Sequence, residues 1–221
     1  MYQTRPSYRP YAPANAVSTP ALLGQVLGIT GVAFIVTAIA AYVGRGLPYG
    51  IALGAMVVSF LMIFAVFSAR ANPRTALLLF YVFAALEGIG LAPTINHYIR
   101  AIGPQPVVEA AATTGFGMFV LGLVAFTFSL DWRRFQNIAT GALIGLLIVG
   151  LITAFTHFIH PQVYAWGILA VFTLLTLIDF SRIRAGGGGA TPVELAISIY
   201  LDALNIFIAL LEIFGIRSRD D

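Results

Sequence analysis

Leu195–Ile216, read L-A-I-S-I-Y-L-D-A-L-N-I-F-I-A-L-L-E-I-F-G-I, decides how the rest of the chain is read. It has the length of a helix that crosses a bilayer, about 20 residues, yet it carries Asp202, Asn205 and Glu212. Offsets of i, i+3 and i+10 place all three on one side of a helix with 3.6 residues per turn. A carboxylate at mid-membrane costs roughly 2.5–3.5 kcal/mol on insertion scales, so the stripe has to face a bundle interior or a wet cavity.

Outward from that stretch the chain is apolar throughout. Of its 221 residues, 59% are hydrophobic and 10% charged, and the mean hydropathy is +0.92. A soluble domain carries about 25% charged residues, so this is a polytopic membrane protein. The absence of cysteine excludes disulfides and thiolate metal sites. The net charge is +3, and all 12 basic residues are arginines. These read as loop arginines and not as the clustered basic face that nucleic acid would need.

Residues 1–20 are rich in Tyr, Pro and small residues and are expected to form a disordered tail that packs against nothing. Seven apolar runs follow, near 21–43, 48–69, 75–96, 110–130, 137–157, 163–181 and 195–216, which predicts an all-α transmembrane domain over 21–216 and a short tail at 217–221. Gly and Pro punctuate the breaks, from Gly44–Pro48 to the four glycines at 186–189. With the N-terminus inside, Arg5, Arg9, Arg70, Arg74, Arg133, Arg134, Arg182 and Arg184 lie in the cytoplasm, and Arg45, Arg100, Arg217 and Arg219 lie outside. That bias favours a cytoplasmic N-terminus.

Inside the spans the ionisable residues are Glu87, Asp179, Asp202 and Glu212. The sixth and seventh runs are joined by a short Gly-rich loop and so should be antiparallel neighbours, with Asp179 and Asp202 at comparable depth just below the cytoplasmic surface. Two carboxyls in a low-dielectric site cannot both ionise cheaply, so the pair would titrate as a unit. Singly protonated they hold each other; doubly ionised they repel, or demand a cation such as Ca²⁺, which prefers hard oxygen ligands. Alternatively, Asp179 snorkels beside Arg182 and Asp202 is a buried hydrogen-bonding residue. Arg70, closing the second span, either latches onto Asp179 or Asp202 or is simply a headgroup-zone arginine. Glu87, beside Gly88 and Gly90 and ahead of Pro93, either lines a pore or makes a structural pair.

No other motif carries chemistry. His157 and His160 lack a third ligand and read as interface histidines. There is no H-E-x-x-H, the two aspartates stand outside the Y-D and G-x-G-D contexts of intramembrane aspartyl proteases, and Gly186–Gly189 lacks the surroundings of a nucleotide loop. The chain is not expected to be an enzyme.

At these residues the chain resembles the Bax inhibitor family, the transmembrane Bax-inhibitor-motif proteins, in its bacterial branch. The segments concerned are I-D-F-S-R-I (178–183), A-I-S-I-Y-L-D-A-L-N-I-F-I-A-L-L-E-I-F-G (196–215), F-Y-V-F-A-A-L-E-G-I-G-L-A-P (80–93) and the Pro-rich turn at 103–106. The resemblance implies a seven-helix bundle with the last helix central, wrapped by the other six. It also implies a pH-sensitive cation leak, chiefly of Ca²⁺, controlled by two aspartates that map onto Asp179 and Asp202, with the latching arginine at Arg70. The arginine-rich run that follows the second span in the family is reduced here to Arg70 and Arg74.

The expected function is therefore an inner-membrane, monomeric cation leak set by protonation of Asp179 and Asp202, with Arg70, Glu87, Asn205 and Glu212 along the pathway. Its partners would be the lipid bilayer, Ca²⁺ and protons, with no nucleic acid and no cofactor. Another class of function is a non-transporting regulator that binds a membrane-anchored ATP-dependent protease or quality-control complex through the N-terminal tail. A third is a proton-coupled transporter of a small solute.

Overall fold

The structure is a computed structural model that describes residues 18–128, 131–156 and 159–220, without the side chains of 154 and 216–220. Residues 1–17 of the expected 1–20 tail, with Arg5 and Arg9, lie outside the described residues. So do His157 and the side chains of Arg217 and Arg219. Thr19 and Pro20 are not tail but the first turn of a helix.

Among the described residues there are seven α-helices and no strand: α1 Thr19–Gly44, α2 Tyr49–Ser68, α3 Pro73–Ile102, α4 Gln105–Thr127, α5 Trp132–Thr156, α6 Pro161–Arg184 and α7 Pro192–Asp220. All seven are long and apolar enough to cross a membrane. Helix α1 begins at Thr19, ahead of its apolar run, and α7 continues past Ile216 to Asp220. Apolar runs mark only the part that must sit in hydrocarbon, whereas backbone hydrogen bonding carries a helix on into the headgroup zone.

Local sequence sets the helix starts. The Asn72 side chain accepts from the Thr75 N–H at 3.4 Å, and the His160 ring accepts from the Gln162 N–H at 3.4 Å, which makes this histidine a helix cap. At α7 the Thr191 N–H donates to Glu194 at 2.7 Å while the Glu194 N–H donates to the Thr191 hydroxyl at 3.2 Å. This reciprocal T-x-x-E box satisfies two otherwise orphaned donors.

The outward faces carry bare apolar side chains such as Ile35, Phe64 and Phe155, at 61%, 60% and 81% exposure. Lipid is the solvent for these faces, so their exposure costs nothing. Helix α7 is central and the most buried of the seven. Its main walls are α6, α4, α1 and α3, while α2 packs on α3 and α5 on α6. Four helices, rather than the six expected, therefore enclose it closely, and the other two brace the wall.

Two features fix this packing. In E-G-I-G (87–90), α3 is held between α1 and α2: a Cβ on Gly88 would lie 2.8 Å from the Ala40 Cβ, and one on Gly90 would run into the Met56 side chain. Only glycine permits that approach of backbones. Between α6 and α7, Gly186, Gly187, Gly188 and Gly189 all have positive φ, from 59° to 85°, a conformation that costs other residues roughly 1–2 kcal/mol each. The turn is pinned where the Arg182 Nε donates to the Gly187 carbonyl at 3.0 Å.

The chain enters the bundle on the side where α1 begins, the near side. There lie Arg70, Arg74, Arg133, Arg134, Arg182 and Arg184; Arg45 and Arg100 lie on the far side.

Candidate functional site

The antiparallel α6–α7 pair brings Asp179 and Asp202 into one electrostatic unit. Each carboxylate meets a hydroxyl of the opposite helix: Ser198 of α7 reaches Asp179, and Thr176 of α6 reaches Asp202. These cross-pairs fix the register. Asp179 is level with about residue 198, and Asp202 with about residue 176, so Asp202 lies roughly one turn, about 5 Å, deeper than Asp179. The two carboxyls are diagonal neighbours and are not at the matched depth expected. Helix α6 runs only five residues past Asp179, to Arg184, whereas α7 begins at Pro192, ten residues before Asp202. Asp202 is thus about 15 Å along α7, near the middle of a hydrocarbon core about 30 Å thick.

The environments of the two acids differ. Asp179 is half-buried, with the Arg182 guanidinium acting on it. Asp202 is 4% exposed, and its Oδ2 reaches neither solvent nor a hydrogen-bond donor of the protein. An unpartnered carboxylate oxygen at this depth is expensive, and a proton or a cation placed on it removes the cost. Two carboxylates and two hydroxyls form a set of hard oxygens of the kind Ca²⁺ takes. Among the described residues no group of three or more His, Asp or Glu side chains is placed to hold a metal ion.

The expected latch goes elsewhere. Arg70 pairs with Glu194, Nε to Oε1 at 3.5 Å, and with neither aspartate. Glu194 occupies the first turn of α7, on the surface where α2 ends, while Asp179 and Asp202 lie below that level. The arginine beside the pair is Arg182, on the same helix as Asp179.

The remaining acids and the amide are held separately. Glu87 accepts a hydrogen bond from Ser59 at 2.6 Å, tying α3 to α2, and Ser59 is 1% exposed. Asn205 donates to the Leu201 carbonyl of its own helix at 2.8 Å and does not join Asp202. Glu212 accepts from the Tyr98 hydroxyl of α3 near the far side. The polar stripe of α7 therefore faces two different helices at two depths.

Sequence reasoning missed a buried pair that fixes α7 against α1. The Tyr200 and Thr37 hydroxyls lie 2.7 Å apart, inside a cage of Phe34, Phe80 and Phe83. Ser198 and Thr176 carried a usable signal, since they precede Asp202 and Asp179 by four and three residues and so share their helix faces. Tyr200 carried none: an aromatic in an apolar span reads as packing.

Comparison with known proteins agrees with this architecture. The family model described as "Inhibitor of apoptosis-promoting Bax1" matches residues 19–219. A protein named as an uncharacterized membrane protein of Vibrio cholerae is 32% identical over 163 residues, covering 72% of each chain. An uncharacterized membrane protein of Streptococcus pyogenes is 27% identical over 172 residues, 73% of each chain. The protein named Bax inhibitor 1 of Schizosaccharomyces pombe is 32% identical over 154 residues, 67% of this chain and 55% of its own. With seven apolar helices, a central, acid-bearing α7 among them, and a family match across residues 19–219, the chain belongs to the Bax inhibitor family of multi-pass membrane proteins.

Proposed function

We propose that the protein is a pH-sensitive cation leak of the inner membrane, with Ca²⁺ as the permeant ion and the N-terminus on the cytoplasmic side. The observation that carries the reading is the pair of carboxylates between α6 and α7, with Asp202 Oδ2 sealed from water and lacking a donor. In this conformation the pair is closed. Sharing one proton keeps a single charge between the helices; losing it leaves two like charges in a poorly screened site, which the helices relieve by separating or by taking up a cation. Protonation thereby biases α7 between two packings. The Arg70–Glu194 pair and the glycine turn hold the near-side ends of α2, α6 and α7 while the middle of α7 shifts. The near-side arginines support the orientation.

The test is Ca²⁺ flux through proteoliposomes between pH 6 and 8. Wild type should show a pH-dependent leak, and Asp202→Asn should lose the pH response. A variant with the flux and pH profile of wild type would remove the carboxylate pair from the mechanism.

A further inference from the structure

Helices α1 and α4 both pack on α7 but have no substantial contact with each other. Between them lies a cavity of about 1150 Å³ that runs from Leu23 and Phe126 on the near side to Tyr42, Arg45 and Asn96 on the far side. Its rim residues Leu27, Phe119 and Leu123 are exposed, so it opens sideways onto the bilayer. Small residues hollow out its walls, and Ala203, the neighbour of Asp202, lies on its floor. At 1.5 Å per residue, Leu23 to Arg45 spans about 33 Å, the full hydrocarbon thickness.

The trough is chemically one-ended. Among the described residues Arg45 is the one charged residue that lines it. The guanidinium lies 4.1 Å over the Tyr42 ring, the Arg45 carbonyl accepts from Asn96 at 3.2 Å, and no acid pairs with Arg45 among the described residues. A long apolar channel that ends in an unpaired cation at headgroup level complements an acyl chain joined to a phosphate. We infer that the α1–α4 groove seats one phospholipid from the leaflet on the Arg45 side, with an acyl chain along α7 and its phosphate against the Arg45 guanidinium. The site is independent of the carboxylate pair, although its floor is the helix that carries Asp202.

Native mass spectrometry of the purified full chain with added phosphatidylglycerol tests this. A Cβ on Gly31 or Gly115 meets nothing within 4 Å, so Gly31→Leu with Gly115→Leu fills the groove without a clash. Gly141 and Gly145, exposed on α5 and equally open, provide the same change elsewhere. Wild type and the Gly141→Leu/Gly145→Leu control should retain one lipid at collision energies that strip loosely bound lipid. Gly31→Leu/Gly115→Leu should lose it, and Arg45→Ala should retain it about five-fold less well, from roughly 1 kcal/mol for one basic residue at a headgroup. Equal retention by all four proteins would overturn the site. So would a lipid that ignores Arg45, or a lipid-free wild-type dimer that the Gly31→Leu/Gly115→Leu protein cannot form.

Discussion

The Thr37–Tyr200 contact makes a sharp prediction because its hydrogens can be assigned. The two oxygens are 2.7 Å apart, and Thr37 Oγ1 also lies 2.9 Å from the Ala33 carbonyl and 3.0 Å from the Ala84 carbonyl. Thr37 therefore has carbonyls to donate to, whereas the Tyr200 hydroxyl has only Thr37 among the described groups. The consistent arrangement is Tyr200 donating to Thr37 and Thr37 donating to a carbonyl. Tyr200→Phe then removes a donor and leaves only a spare lone pair on Thr37, a loss of about 0.6 kcal/mol, typical of hydrogen bonds between membrane helices. Thr37→Val strands a phenol that is 0% exposed and should cost about 1–3 kcal/mol. The double variant removes both partners and should be more stable than Thr37→Val alone. Unfolding in mixed micelles by titration with denaturing detergent would give the three free energies. If Tyr200→Phe were the more damaging single change, or the two costs simply added, the assignment of donor and acceptor would be wrong.

Other sites give further tests by the same unfolding assay. Gly88→Ala places a methyl 2.8 Å from the Ala40 Cβ and against the Thr37 backbone, so overpacking of α1 on α3 should cost at least about 1–3 kcal/mol. At the start of α7, Thr191→Ala breaks the capping box for about 1 kcal/mol. Glu194→Gln keeps the box and loses only the ion pair to a 60% exposed Arg70, which should cost well under about 1 kcal/mol. Asp202→Leu should leave the protein at least as stable as wild type while abolishing the pH response of the flux, because it replaces a buried carboxyl whose Oδ2 has no donor with an apolar side chain.

Much of the architecture was legible because lipid imposes a simple rule. A span facing hydrocarbon must be apolar all round, so seven runs announced seven helices, and any acid inside one was conspicuous. Asp179, Asp202, Glu87 and Glu212 stood out for that reason, and each is in contact with another helix. Which partner each acid takes was not legible. Arg70 shares the near side with Asp131, Asp179 and Glu194, and the choice of Glu194 depends on where α7 starts, which a T-x-x-E box after a glycine turn decides. Depth failed for a related reason: counting outward from a loop presumes that both helices end equally far from its middle, and α6 runs much closer to the turn past Asp179 than α7 does before Asp202. The Thr37–Tyr200 pair was hidden because both residue types are ordinary in membrane helices, and only their meeting in space makes them a clasp.

The way α7 is held bears on whether a proton is enough to move it. Apolar contact between helices gains little in lipid, where the tails are as apolar as the side chains. The polar ties of α7 to other helices, apart from the carboxylate pair, sit at separate levels: Arg70–Glu194 at the near surface, Tyr200–Thr37 and the Thr30 hydroxyl on the Ala196 carbonyl within the bundle, and Tyr98–Glu212 toward the far side. The first is exposed and contributes about 0–1 kcal/mol, and the others contribute about 0.6 kcal/mol each, rising toward 1.7 in the best cases. Breaking one or two of the buried ties costs about 0.6–3 kcal/mol. One titrating group shifts an equilibrium by at most about 1.4 kcal/mol per pH unit, so two pH units cover that range. A central helix locked by a buried network of many bonds would be deaf to such a signal; one tied at a few points, as α7 is, would be within reach of the single shared proton proposed above.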